Sequence, residues 1–351
     1  MRAAECGGGP KPPRDYLDPA TGIPRGREKQ APGCRKTRQA DEDGSLARTA
    51  LTRADRGAGR LLSWGNRKAM PYQESWFTAA DGLRLRQRCW LPGRSPRAAV
   101  VFIHGFSEHS LRHAPAAEAL ADRGYAVHAI DLRGHGESGG ARVWIRSFDE
   151  YLDDVERFIA HVREGSSRRP LFLWGNSMGG TIAALLAIER KPALDGLVLS
   201  APFLKMPDHL FPIIRYLAIA LGRLVPGLRV VRVGTRYLSR DPQVVADFES
   251  DPLNFHGRFP VRTGAELLRA VRRVRRGMES VQTPLLLLHG TADLVTDPDG
   301  SRQLHARAAS NDKTLRLYPG LYHDLLHEPQ WQSVVNDAAE WLDARTPASS
   351  P

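Results

Sequence analysis

Leu171-Phe172-Leu173-Trp174-Gly175-Asn176-Ser177-Met178-Gly179-Gly180 is the stretch that decides the fold. Four large apolar residues run straight into a glycine, as a buried strand does when it ends in a turn. Residues 178–190 read as a helix. A serine between strand and helix, with glycine two positions to either side, is the setting in which G-x-S-x-G has chemical meaning. The serine must adopt a strained backbone to project its hydroxyl, and side chains at 175 and 179 would crowd the turn. The helix starting there points its positive end at the hydroxyl. The N–H of Met178 is then free to hold a developing oxyanion. The competing reading is an ordinary glycine-rich strand–helix turn.

Working outward, the same alternation repeats. Leu83 to Trp90 alternates with period two, as a half-exposed strand does. Ala98 to Ile103, Ala126 to Ile130, Gly196 to Ser200, Leu285 to His289 and Thr314 to Tyr318 are short apolar runs that read as strands. Helices are expected at 112–123, 147–164, 299–309 and 331–344, the second carrying Phe148, Leu152, Val155 and Ile159 at helical spacing. Strands alternating with helices imply a mostly parallel sheet covered on both faces. With the serine elbow, this is the pattern of an α/β-hydrolase fold. One interval breaks the rhythm. From about 203 to 280 there is helical and irregular sequence but no clear strand, and residues 210–221 are strongly apolar. This insertion after the sixth strand is expected to form a helical cap. No internal repeat is present.

Of the 351 residues, 1–69 differ from the rest. They are rich in Gly, Pro and Arg, show no helical or strand period, and carry a net charge of +7 out of +11. They read as a disordered basic tail or an over-extended gene start, with the hydrolase domain at 70–351. The concentration of charge in that segment argues against nucleic-acid binding by the enzyme body. Cys6, Cys34 and Cys89 make no disulfide framework. No apolar run reaches the roughly 20 residues of a membrane span, and the first residues lack a secretory h-region. A cytoplasmic location is the expectation.

A serine hydroxyl needs a base, and the base needs an orienting carboxylate. In this fold the chain order is Ser, acid, His, which confines the search to strand ends beyond 177. Asp293 follows the apolar strand Leu285–His289, with Asp297 and Asp299 as rivals in the same loop; Asp297 could instead cap the next helix. His323 follows the last strand and the Pro319-Gly320 turn, with His327 as its rival. His289 precedes the acid and fits the order poorly. His104-Gly105-Phe106 ends another strand, so the Phe106 N–H is the expected second oxyanion donor and His104 a structural residue. Asp131, His135 and Ser138 are too close in sequence to meet as a second triad, and a tight loop is the expected role for them.

Taken together, HGFSEHS at 104–110, DLRGHGESGG at 131–140, GNSMGG at 175–180, DPLNFHG at 251–257, HGTADLVTD at 289–297 and YHDLLHE at 322–328 resemble the monoacylglycerol lipase and lysophospholipase-like group of α/β hydrolases. The Glu-His-Ser extension is the specific part. The resemblance implies hydrolysis of a fatty acyl ester on a glycerol-type head group, with no metal or organic cofactor. It also implies that Glu108 accepts head-group hydroxyls, against the plainer alternative of an ion pair with Arg112. Two positions depart from the family pattern. Asn176 stands where histidine usually precedes the serine, and histidine sits at 327 where 326, here Leu326, is usual.

Other readings stay open: lysophospholipase, broad carboxylesterase or thioesterase, acyltransferase, or a non-catalytic binding protein. The run Arg272-Arg273-Val274-Arg275-Arg276 lies on an amphipathic helix with Leu267, Val271 and Val274 on one face, and reads as a solvated surface. The apolar 210–221 segment reads as acyl-chain lining or transient membrane contact.

Overall fold

The computed structural model describes residues 72–166, 169–206 and 224–347. The chain divides into two units, 1–64 and 65–351. The first lies outside the described residues, as does the apolar 210–221 segment.

Among the described residues there are ten strands: β1 (Tyr72–Thr78), β2 (Arg84–Trp90), β3 (Ala98–Ile103), β4 (Tyr125–Ile130), β5 (Leu171–Asn176), β6 (Gly196–Ser200), β7 (Arg229–Val231), β8 (Phe259–Pro260), β9 (Leu285–Gly290) and β10 (Lys313–Tyr318). The α-helices among the described residues are α1 (Ala114–Asp122), α2 (Asp149–Ser166), α3 (Met178–Leu185), α4 (Pro242–Ser250), α5 (Val261–Gly277), α6 (Asp299–Arg307) and α7 (Trp331–Asp343). Eight strands form one sheet in the order β1-β2-β4-β3-β5-β6-β9-β10. β2 runs antiparallel to both its neighbours, and the remaining pairs are parallel.

The parallel strands read as unbroken apolar runs because both faces are covered. In β3, Ala99, Val101 and Ile103 enter one core with α2 and α3, through Leu152, Val155 and Ile182. Ala98, Val100 and Phe102 enter the other core, with α1 and α7, through Leu120, Val334 and Ala338. β5 and β9 split by the same parity. Each buried Val, Leu or Ile contributes about 1.5–3 kcal/mol relative to exposure, so the two cores fix the sheet that carries the elbow.

Two features depart from the sequence reading. β1 pairs with β2 along its whole length, yet the four consecutive residues Gln73, Glu74, Ser75 and Trp76 are all exposed, as is Thr78, which removes the alternating signal. Between β6 and β9 there is also strand: β7 and β8 pair antiparallel as a small separate ribbon. They are three and two residues long and one contains proline, so no period can register. This inserted segment packs on the loop after β3. The Phe255 N–H donates to the Ser107 carbonyl at 2.9 Å, and the rings of Phe259 and Phe106 meet edge to face.

Candidate active site

Ser177 joins β5 to α3 with φ 51° and ψ −114°, outside the regions a side chain prefers. The flanking glycines make that conformation attainable. A Cβ at 175 would lie 2.3 Å from the Gly179 carbonyl oxygen, and one at 179 would lie 2.2 Å from that of Ile103. The turn is held by the Ser177 N–H, which donates to the Ser200 carbonyl at 3.0 Å. The hydroxyl therefore stands at the head of α3, partly exposed, while the residues around it are buried.

Ser177 Oγ lies 2.9 Å from His323 Nε2, and His323 Nδ1 lies 2.8 Å from Asp293 Oδ2. The carboxylate accepts only, so Nδ1 carries the proton and Nε2 presents its lone pair to the serine hydroxyl. Burial disfavours the charged imidazole, but the Asp293 charge and its hydrogen bond outweigh that and raise the His323 pKa above its usual value. Asp293 is also buried, which alone would raise its pKa. The histidines beside it and their hydrogen bonds instead hold it far below the carboxylate range. Its Oδ1 accepts from the N–H groups of Val295 and Thr296 at 2.8 and 2.9 Å.

The rivals lie elsewhere. Asp297 pairs with the Lys205 ammonium at 2.6 Å and accepts the Asp299 N–H at the start of α6. Asp299 pairs with Arg302. His327 places Nδ1 2.8 Å from Asp324 Oδ1 and Nε2 2.8 Å from the Arg112 carbonyl oxygen. His135 is bound through Nδ1 to the Arg133 carbonyl oxygen, and burial pushes its pKa down to about 3. Asp131 is taken up by Arg88 and Ser110, so Asp131, His135 and Ser138 form no second triad.

His104-Gly105-Phe106 runs beside the nucleophile: a Cβ at 105 would sit 3.1 Å from Ser177 Cβ. His104 is an internal strut, its Nδ1 bonded to the Gly105 carbonyl oxygen at 2.7 Å and its Nε2 accepting the Leu132 N–H at 2.9 Å. Burial pushes its pKa down to about 4.

Glu108 is turned to the interior. It is 4% exposed. Its Oε1 accepts from the Gly105 N–H, from Asn176 Nδ2 at 3.2 Å and faces His113 Nε2 at 3.1 Å. Its Oε2 is paired with Arg112, which in turn holds Asp324 at 2.9 Å. The plainer ion-pair alternative describes this geometry, because a buried carboxylate with four protein partners has little acceptor capacity left.

Comparison with known proteins fits this arrangement. The profile of the family described as serine aminopeptidase, S33, matches residues 94–330. The monoacylglycerol lipase of Mycolicibacterium smegmatis is 34% identical over 269 residues, covering 77% of this chain and 96% of that protein. The chain belongs to the monoacylglycerol lipase family of α/β hydrolases. Human monoglyceride lipase is 36% identical over 283 residues, 80% of this chain and 93% of that one. The crystal structure of Paleococcus ferrophilus monoacylglycerol lipase superposes with a TM-score of 0.68 at 32% identity, over 75% of this chain and 99% of that one.

The two departures of this monoacylglycerol lipase family member now have locations. Asn176 bridges Glu108 to Ser200, whose hydroxyl donates to Asn176 Oδ1 at 3.0 Å. Leu326 is buried in the core beneath α7, and His327 closes on Asp324. Sequence reasoning missed Asn176, Asp324 and Thr296 as members of this lipase-family site. All three lie inside the quoted motifs, but their roles rest on contacts made in the fold: Asn176 with Glu108, Thr296 with Asp293 and Asp324 with Arg112.

Proposed function

We propose that the chain hydrolyses the acyl ester of a monoacylglycerol-like lipid, with Ser177 as nucleophile, His323 as base and Asp293 holding its tautomer. The observation that carries this reading is the unbroken Ser177–His323–Asp293 hydrogen-bonded line in a chain 34–36% identical to named monoacylglycerol and monoglyceride lipases. Ser177 Oγ attacks the ester carbonyl while its proton passes to His323 Nε2. The Phe106 and Met178 N–H groups face the developing oxyanion, each contributing about 3 kcal/mol to the barrier reduction. His323 then protonates the departing glycerol oxygen. Water, deprotonated by His323, releases the fatty acid and restores Ser177.

Glu108 serves in this reading as a positioning residue under the oxyanion loop, since it bonds the Gly105 N–H. In this reading residues 224–280 cap the site, and Leu224, Val225 and Leu228 are exposed. They support brief contact with a lipid surface by an otherwise cytoplasmic protein. Among the described residues no helix is long and apolar enough to cross a membrane.

The test is Ser177→Ala in the full chain, assayed with monoacylglycerols and p-nitrophenyl esters of graded acyl length. Loss of turnover with unchanged thermal unfolding is the expected result. Retained turnover removes the assignment. Flotation with liposomes at low salt tests the surface contact, and absence of lipid association removes it.

A further inference from the structure

Asp293 receives more donors than a catalytic histidine requires, and one of them comes from a histidine to which the mechanism gives no role. His289 is the penultimate residue of β9, with its side chain fully buried. Its Nε2 lies 3.1 Å from Asp293 Oδ2, the oxygen that also faces His323 Nδ1 at 2.8 Å and the Thr296 hydroxyl at 2.8 Å. Its Nδ1 lies 2.7 Å from the hydroxyl of Ser301 in α6, which is equally buried.

The protons in this cluster are fixed by what each atom can do. A carboxylate accepts only, so His289 Nε2 must carry its proton to face Asp293. His289 Nδ1 then has a lone pair, and the Ser301 hydroxyl supplies the donor. The opposite tautomer would aim a lone pair at Asp293 Oδ2. It would also draw the Thr296 hydroxyl, 3.2 Å from Nε2, away from the carboxylate. Two donors to Asp293 would be lost together. The Val295 and Thr296 N–H groups at Oδ1 hold one oxygen, while Oδ2 depends on side chains whose hydrogens can turn.

We infer that Ser301 and His289 are positioning residues for catalysis: Ser301 fixes the His289 ring with its proton on Nε2, and that N–H holds Asp293 Oδ2 at His323. The line Ser301–His289–Asp293–His323–Ser177 is continuous, and it rests on the triad proposed above. Neither residue touches substrate. His289 acts on the rate by keeping the carboxylate in register with His323, whose other charged neighbours are Asp324 and Glu108.

The test uses the full chain with Ser301→Ala, His289→Gln, His289→Leu and the Gln/Ala double substitution. Glutamine offers an N–H near the place of Nε2 and has no tautomers. Ser301→Ala is expected to lower kcat about tenfold, the size of one hydrogen bond to a charged group, with KM within about twofold. His289→Leu is expected to lower kcat further and to move the acid limb of kcat/KM to higher pH, because fewer donors then share the Asp293 charge. His289→Gln restores most of the activity. In that background Ser301→Ala should cost nothing more, since the hydroxyl acts only through the imidazole tautomer. The far-downfield proton resonance of His323 Nδ1–H should shift in Ser301→Ala, which a purely structural role would not produce.

Equal costs of Ser301→Ala in both backgrounds overturn the inference, as does a His289→Leu enzyme with unchanged kcat and pH profile. If His289→Leu fails to fold, the Ser301→Ala and His289→Gln pair decides the matter. Labelling of wild-type Ser177 by a fluorophosphonate separates the two readings. Without it the triad itself fails, while labelling combined with flat variant kinetics removes only the role of His289 and Ser301.

Discussion

Replacing Asp293 by asparagine isolates what the carboxylate does, because the surroundings dictate how the new amide must sit. Oδ1 of Asp293 accepts two backbone N–H groups, from Val295 and Thr296, at 2.8 and 2.9 Å. Only the carbonyl oxygen of asparagine can stay there. Its NH2 group must then occupy the place of Oδ2, 2.8 Å from His323 Nδ1 and 3.1 Å from His289 Nε2. His323 is forced to accept at Nδ1 and to carry its proton on Nε2, pointing at Ser177. The base is lost although no atom need move. A wrong-tautomer triad of this kind loses on the order of 10⁴ in kcat, or about 5.5 kcal/mol of transition-state stabilisation. The assay is turnover of a p-nitrophenyl acyl ester over a broad pH range, with circular dichroism and thermal unfolding as controls for the fold. KM should stay within a few-fold, since Asp293 does not touch substrate. Asp297→Asn and Asp299→Asn serve as charge-matched controls, and each should lose less than about twofold because both pair with surface cations. An Asp293→Asn enzyme retaining a tenth of wild-type kcat with an unchanged acid limb would refute the tautomer argument.

Three further outcomes follow from the same geometry. Because His323 must be neutral to take the serine proton and its pKa is raised, the acid limb of kcat/KM should lie above the ordinary histidine value of about 6.5. A limb below it contradicts the Asp293 pairing. The linked contribution to stability has the opposite sense. The Asp293 interaction with protonated His323 stabilises the fold fully below that ordinary value and is lost as pH rises through the raised one. Glu108→Gln should lower stability by about 1.5–3 kcal/mol, because it removes the charge from a buried hydrogen bond while Arg112 keeps its pairing with Asp324. Thermal unfolding and KM for monoacylglycerol, measured together, check it, and a raised KM with unchanged stability would return Glu108 to the head group. Gly179→Ala should prevent formation of the elbow, since its Cβ would sit 2.2 Å from a backbone oxygen that cannot give way. Soluble protein that labels at Ser177 would contradict this.

What the sequence by itself determined is what depends on neighbours in the chain. The elbow at Gly175–Gly179 is a local steric necessity, so five consecutive residues announced both the turn and Ser177. The buried strands 98–103, 171–174 and 285–289 were legible because strands covered on both faces are apolar throughout, and their alternation with helices carried the α/β-hydrolase fold. β1 and the β7–β8 ribbon were not legible, one exposed over five of its seven residues and the others too short for any period. The chain order of nucleophile, acid and base narrowed the site to Asp293, Asp297 or Asp299 and to His323 or His327. Position after the strand ends favoured Asp293 and His323 among these, but only the tertiary structure could bring them to each other and to Ser177, because those side chains meet across sequence separations of 30 and 146. The same holds for Glu108, whose partners Arg112, His113 and Asn176 fill its oxygens, and for His289, which the chain order set aside as a base. Motif spacing fixes where a residue lies along the chain. Whether its polar atoms are free for a substrate or already satisfied within the protein is settled by packing, because a buried donor or acceptor must find its partner wherever the fold supplies one.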